Sequence, residues 1–321
     1  MHHAFALHPT LPRKSLMSRR HFLHMSSILL TGPFWTPPEA NAATLQTPSV
    51  GRVERLPAFP SKFVDARPVD VWLPPGYNPA ARYAVLYMHD GQMLFDATTT
   101  WNKKAWKVDA VAARLMAKGA VQDFIVVGPW NNGKFRHAEY FPGKFLPHLP
   151  QDLRGKLIQQ GLQGQSRSDA YLRFLVEELK PAIDARYATR PEREATFLMG
   201  SSMGGLISAY ALCEYPKVFG GAACLSTHWI GSFQHNDEIP SAAIAYLREA
   251  LPDPRTVKWW MDRGTTELDA QYARAQARID ALMAEKGFVA GPRYQSRVYE
   301  GTGHNEDAWA QRLHEPLEFL F

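Results

Sequence analysis

From about residue 50 onwards, short apolar runs alternate with segments of helical periodicity, and few architectures can accommodate that order. The runs fall at residues 69–73, 83–88, 124–127, 195–199, 220–225, 257–261 and 294–299. Helical patterns lie between them at 108–117, 170–186, 206–212, 241–250 and 269–286, and a final helix carries Trp309, Leu313, Leu317 and Leu320 at helical spacing. This predicts an α/β domain: a mostly parallel central sheet with helices on both faces, and function at the carboxyl ends of its strands. One segment breaks the pattern. Residues 143–168 contain Gly143, Gly155, Gly161 and Gly164 with little periodicity, so an irregular insertion is expected there, either a lid over the site or a solvated excursion.

Between the run at 195–199 and the next helix stands Gly200-Ser201-Ser202-Met203-Gly204, a G-x-S-x-G pentapeptide in a strand–turn–helix context. A sharp turn there leaves the serine in strained backbone geometry and needs neighbours without side chains, so Ser202 is the candidate nucleophile. A serine hydroxyl needs a base that titrates near neutral pH. Of the seven histidines beyond residue 42, His304 sits in Gly301-Thr302-Gly303-His304-Asn305, after the last strand and before the last helix. That is its place in the order serine, acid, histidine. The acid belongs after the preceding strand, where Asp262, Glu267 and Asp269 occur. Asp262 lies close to the strand end and can pair with Arg263. Glu267 and Asp269 stay open, one as the acid and the other as a helix cap. An oxyanion hole would draw one main-chain amide from Met203 and another from Gln92, where Gly91 lets the chain turn close to the reacting carbonyl.

The first 42 residues do not read as part of this domain. Ser18-Arg19-Arg20-His21-Phe22-Leu23 has the form of a twin-arginine export signal, followed by an apolar stretch and an Ala40-Asn41-Ala42 cleavage site, with Met1 or Met17 as the start. Removal after Ala42 would leave a single domain, 43–321, exported to the periplasm. The apolar stretch is well short of the ~20 residues of a spanning helix, so no stable membrane span is expected in the mature form. Setting aside Arg13, Lys14, Arg19, Arg20 and Glu39 lowers the formal charge from +5 to +2, and the remaining charges are interspersed, which argues against nucleic acid as a partner. Cys213 and Cys224 fall in apolar neighbourhoods and read as free buried thiols. No Cys/His cluster suggests a metal.

Taken together, residues 69–77, 86–92, Arg136 with Glu139-Tyr140, Tyr171-Leu172-Arg173-Phe174, Glu178-Leu179-Lys180-Pro181, Gly200 to Gly205 and Gly303-His304-Asn305 resemble the Putative esterase family of α/β-hydrolases. That family includes feruloyl and acetylxylan esterases, enterochelin esterases, S-formylglutathione hydrolases and mycolyltransferases. The resemblance runs from about residue 60 to the end. It implies the α/β-hydrolase fold and a serine esterase without metal or organic cofactor, with oxyanion amides at Gln92 and Met203. It also implies an Asp or Glu where Glu267 stands, which favours Glu267 over Asp269. His228 and Trp229, and Trp130, Asn131 and Arg136, follow strands and are candidates for the substrate pocket; Trp101, Trp106 and Asn132 are expected around its mouth. An aromatic rim with few charges suits a sugar or aryl ester. The expected substrate is therefore a small-molecule or glycan ester, such as a carbohydrate-linked acetyl or feruloyl ester. A siderophore or peptide-ester hydrolase, an acyltransferase, and a non-catalytic binding protein on the same fold are the alternatives.

Overall fold

The apolar runs assemble into one eight-stranded sheet, in the order β1-β2-β4-β3-β5-β6-β7-β8. The strands are β1 Arg52–Phe59, β2 Arg67–Leu73, β3 Ala84–Met88, β4 Phe124–Pro129, β5 Thr196–Ser201, β6 Gly221–Leu225, β7 Lys258–Arg263 and β8 Tyr294–Val298. β2 pairs antiparallel with both β1 and β4, and every pairing from β4 across to β8 is parallel. The computed structural model describes residues 44–232 and 236–321, within a compact unit spanning 43–321. The expected export segment, residues 1–42, lies outside the described residues.

The central strands are continuous apolar runs because helices cover both faces. All of β3 is buried. Its Val85 and Tyr87 join a core with Leu206, Ile207, Ile239 and Ile279 of the helices Met203–Glu214, Glu238–Ala250 and Ala273–Glu285. Leu86 and Met88 point the other way, into a second core with Val111 and Leu115 of the helix Val108–Ala117 and with Leu313 and Leu317 near the end of the chain. The period of two in β3 thus divides one apolar run between two cores.

Two helices differ from their sequence patterns, each beside a proline. The stretch 168–186 is helical but widens into a π-turn at Phe174–Leu179, next to Pro181, which has no N–H to continue the ladder. The last helix is two: Glu306–Arg312, capped by Asn305, which accepts from the Ala308 N–H at 3.2 Å, and His314–Leu320, where Pro316 removes the donor that would have reached back to Arg312. Residues 143–168 are neither a lid at the cleft described below nor an irregular excursion. They form the short helical turns Gly143–His148, Gln151–Lys156 and Leu157–Gly161, and bury Phe145, Leu149, Leu157 and Leu162 in the first core. Phe145 packs on Phe141 and Tyr246. Cys213 and Cys224 are buried free thiols. Among the described residues no helix is long and apolar enough to cross a membrane, and no group of three or more His, Cys, Asp or Glu could hold a metal ion.

Candidate active site

Loops after β3, β4, β5, β7 and β8 border a cleft of about 580 Å³ whose wall includes Ser202 and His304. Ser202 leaves β5 at φ 56° and ψ −121°, a region L-residues rarely occupy, and heads the helix Met203–Glu214. Its main chain is clamped: the Ser202 N–H donates to the Leu225 carbonyl at 3.0 Å, while the Ser202 carbonyl accepts from Leu206 at 3.1 Å and His228 at 3.2 Å. The strand can turn directly into the helix only because residue 200 is glycine. A Cβ there would lie 2.6 Å from the Gly204 carbonyl carbon and oxygen. The pentapeptide is therefore a steric requirement of the turn, and it points the Ser202 side chain to the cleft.

His304 is held at two points. Its Nδ1 lies 2.6 Å from Oδ1 of Asp269, and its main-chain N–H donates to Oε2 of Glu267 at 2.7 Å. The expectation that Glu267 is the carboxylate on the imidazole is corrected: Asp269 occupies that place. Glu267 opens the 3₁₀ turn of residues 267–271 from a left-handed backbone conformation, and the two carboxylates reach different parts of His304, one its main chain and the other its ring. Glu267, at φ 54° and exposed, turns outward to the His304 main chain and the Asn305 amide. Asp269 is fully buried and turns inward. Gly303 makes room for this arrangement, since a Cβ there would meet the Glu267 carboxyl carbon at 2.5 Å.

Asp269 is tuned to remain ionised. Burial opposes its charge, but hydrogen bonds from His304, from the Ser226 hydroxyl at 2.6 Å and from the Gly264 N–H at 2.6 Å outweigh it, and the carboxyl titrates below its ordinary range. An ionised carboxylate can only accept, so His304 Nδ1 carries the proton and Nε2 presents a lone pair. The support continues beneath. Ser226 Oγ accepts from Trp309 Nε1 and from Arg312 Nη2, each at 3.0 Å, and Arg312 also pairs with buried Asp262 at 2.9 Å. Asp262 therefore braces this floor through Arg312 and not, as the sequence suggested, through Arg263. The faces of the His304 ring are bounded by Tyr272 and Trp309, both edge-on at 5.6 and 5.1 Å.

Of the two expected amide donors, Gln92 borders the same cleft, and Met203 directly follows Ser202, which borders it. Met203 opens the helix after Ser202, where main-chain N–H groups lack intrahelical partners, and Gln92 sits in the 3₁₀ turn Gly91–Met93 after β3. Asp90, at φ 58°, sets that turn and is locked by Arg136, which donates through Nε and Nη2 at 2.7 Å each, and by the Asn131 amide at 2.7 Å. Burial works against the Asp90 charge, yet the paired guanidinium and these bonds bring its carboxyl below its usual range. Asn131 and Arg136 thus line the cleft as expected. Trp101, Trp106 and Trp309 also contribute to its wall, Trp101 being 85% exposed.

The other pocket expectations are corrected. Trp130 is turned away from the cleft: its Nε1 donates to Asp70 at 2.9 Å beneath the Arg55 guanidinium. Trp229 is buried against the helix Ala273–Glu285, donating to Gln276 Oε1 at 3.0 Å. His228 is buried behind Ser202, its Nδ1 2.6 Å from the Tyr272 hydroxyl. The Tyr272 ring also meets the His304 ring edge-on at 5.6 Å, which makes Tyr272 the residue beside the site that sequence reasoning missed. Three positions beyond Asp269, at the start of a helical pattern, it reads as an ordinary core aromatic.

A Putative esterase family model matches residues 61–320. The chain is 24% identical over 286 residues to an endo-1,4-beta-xylanase/feruloyl esterase of Xylanibacter ruminicola; the match covers 84% of this chain and 31% of that protein, so the chain spans about a third of its relative's length. The fold is similar to a ferulic acid esterase at 23% identity, with a TM-score of 0.60 over 84% of this chain and 97% of that one. It is similar as well to the enterobactin esterase of Shigella flexneri, at 16% identity and a TM-score of 0.61 over 86% of this chain and 60% of that one. The family match extends across the elbow, the carboxylate turn and the histidine loop, and this chain belongs to the Putative esterase family.

Proposed function

We propose that the protein is an exported serine esterase acting on neutral acyl esters, with carbohydrate-linked acetyl or feruloyl-type esters as its substrates. The reading rests chiefly on one observation: a buried, ionised Asp269 on His304 Nδ1, in the cleft that Ser202 also faces. His304 Nε2 takes the Ser202 proton and Oγ attacks the ester carbonyl. The amides of Met203 and Gln92 hold the oxyanion, and His304 then protonates the leaving alcohol. Water repeats these steps on the acyl-enzyme, while Asp269 fixes the tautomer and stabilises the imidazolium.

The cleft's chemistry supports a neutral, ring-bearing substrate. Its wall offers the indoles of Trp101, Trp106 and Trp309 and the amide groups of Asn102 and Asn131. Its two cations are already committed, Lys104 to Asp307 at 3.2 Å and Arg136 to Asp90 at 2.7 Å, which argues against a polyanionic siderophore. Export is supported by the Ser18 to Leu23 motif.

A fluorophosphonate probe should label the protein, and Ser202→Ala should abolish both labelling and ester turnover. Acetylated and feruloylated xylo-oligosaccharides should be hydrolysed in preference to a catecholate tri-ester. An unlabelled protein would instead support a binding protein on the same fold, and acyl transfer to added sugar in preference to water would reassign it as a transferase.

A further inference from the structure

The peptide unit between Gly91 and Gln92 carries one of the expected oxyanion donors, the Gln92 N–H, and its other end is held from behind the cleft wall. The Gly91 carbonyl accepts a hydrogen bond from Gln46 Nε2 at 2.8 Å. A trans peptide is planar and its C=O and N–H point in opposite directions, so fixing the oxygen fixes the direction of the N–H. Gln46 is 1% exposed, whereas Gln92 lines the cleft. A carbonyl held on the buried side turns the N–H of the same unit toward the open side. The bond to the carbonyl also polarises the amide and strengthens its N–H as a donor.

The surroundings dictate which way the Gln46 amide faces. Its Nε2 also donates to Asp70 Oδ2 at 2.7 Å, and its Oε1 accepts from the Phe95 N–H at 3.1 Å. A carboxylate and a carbonyl on the nitrogen, with an N–H on the oxygen, allow one orientation only. Asp70 is firmly anchored in turn: buried on β2, it accepts from Arg55 Nε at 2.6 Å, from Arg55 Nη2 at 2.7 Å and from Trp130 Nε1 at 2.9 Å. Gln46 therefore ties both ends of the stretch 91–95 to the sheet. The backbone has no slack on the side of β4 either, since a Cβ on Gly91 would lie 2.1 Å from the Gly128 carbonyl oxygen.

We infer that Gln46, in the segment leading into β1, is a positioning residue for catalysis: by holding the Gly91 carbonyl it aims the Gln92 N–H at the oxygen that becomes negative in acylation and deacylation. This rests on the readings of Ser202 as nucleophile and of the Gln92 amide as oxyanion donor. Gln46 acts through that peptide unit alone, so its loss is felt where charge develops in the transition state.

The test is p-nitrophenyl acetate hydrolysis by Gln46→Met, which keeps the side-chain length and removes both donors, with rates expressed per site titrated by a fluorophosphonate. kcat and kcat/KM fall together about thirtyfold, less than the about 10²–10³ that follows outright loss of an oxyanion donor. The Ki of an aryl trifluoromethyl ketone rises by the same factor. Ser202 Oγ adds to the ketone carbon, the serine proton passes to His304, and the negative oxygen left on that carbon lies in the oxyanion hole. A structural role alone lowers the number of titratable sites and leaves the rates per site and Ki unchanged, an outcome that overturns the proposal.

A double-mutant cycle with Gln92→Pro, which removes the N–H, isolates the route. Gln92→Pro alone lowers kcat/KM by about a hundredfold or more, and adding Gln46→Met changes it by less than about threefold. Losses that multiply in the double variant also overturn the proposal. Should Gln46→Met not fold, Gln46→Ala, which leaves room for water on the Asp70, Gly91 and Phe95 groups, is judged by the same criteria; should Gln92→Pro not fold, the ketone decides. A folded Gln92→Pro with parental kcat/KM removes the amide assignment, and a parent that takes no fluorophosphonate label removes the serine reading; Gln46 falls with either. Parental turnover that Gln92→Pro lowers and Gln46→Met leaves unchanged removes Gln46 alone.

Discussion

Replacing Asp269 by asparagine keeps the shape of the side chain and changes its hydrogen bonding in a way that the surroundings dictate. Oδ2 accepts from the Gly264 N–H, a donor with no alternative role, and from the Ser226 hydroxyl. An amide NH2 placed on that side would meet the Gly264 N–H donor to donor at the present 2.6 Å. The amide is therefore forced to put its oxygen there and its NH2 toward His304 Nδ1, 2.6 Å away in the parent. Nδ1 must then accept, the ring proton moves to Nε2, and the lone pair that should receive the Ser202 proton is gone. A wrong tautomer of this kind lowers kcat by about 10⁴, equivalent to about 5.5 kcal/mol of transition-state stabilisation. Glu267→Gln behaves differently. Its contacts are to the His304 main chain and the Asn305 amide, which a glutamine carbonyl can still serve, so its kcat stays within about tenfold of the parent. The assay is steady-state hydrolysis of p-nitrophenyl acetate by the three purified proteins, with thermal melts to show that each is folded. A folded Asp269→Asn within about tenfold of the parent, or a larger loss in Glu267→Gln, would refute the tautomer argument.

Stability should fall with acid earlier than carboxylates alone would require. Burial brings His89 to about 4 and His228 to about 3, so both are neutral in the native state above those values, whereas unfolding restores a value near 6.5 and lets each take a proton. Their contribution is intact above about pH 6.5 and is lost progressively toward pH 4 and below, at about 2 kcal/mol each by pH 5. Asp90 and Asp269, whose values are lowered, contribute a loss only below about pH 4. Urea midpoints equal at pH 7 and pH 5 would contradict this. At the rim, Trp101→Ala should raise KM for a feruloylated xylo-oligosaccharide about tenfold while leaving p-nitrophenyl acetate within about twofold, because only the larger substrate reaches the exposed indole. Equal effects on the two esters would take Trp101 out of the binding surface.

The strands were legible wherever both faces are covered, since a fully buried strand must be apolar throughout, as β3 is. β1 left no such signal. It is an edge strand with a half-exposed pattern, carrying Arg52, Glu54, Arg55 and Pro57, and only its pairing with β2 identifies it. The two helix interruptions follow prolines visible in the sequence, but whether a proline widens a helix or divides it depends on what packs around it.

At the site, the sequence by itself determined the parts whose geometry is local. Ser202 had to sit at a strained turn, and residue 200 had to be glycine, because the clash it avoids is with a residue only four positions away. His304 was identifiable from its place after the last strand. Only the tertiary structure decided the rest. Glu267 and Asp269 are two residues apart and chemically alike, and the 3₁₀ turn between them sends one to a main-chain N–H and the other to the ring. Trp130 and Trp229 follow strand ends just as Asn131 and Arg136 do, yet they spend their indole N–H groups on buried acceptors away from the cleft. Tyr272 meets the His304 ring from 32 positions away, through a contact that no local pattern records. The physical reason is the same in each case: steric limits on the backbone act between near neighbours and leave a mark in the sequence, whereas the direction of a side chain is set by the partners that folding brings to it.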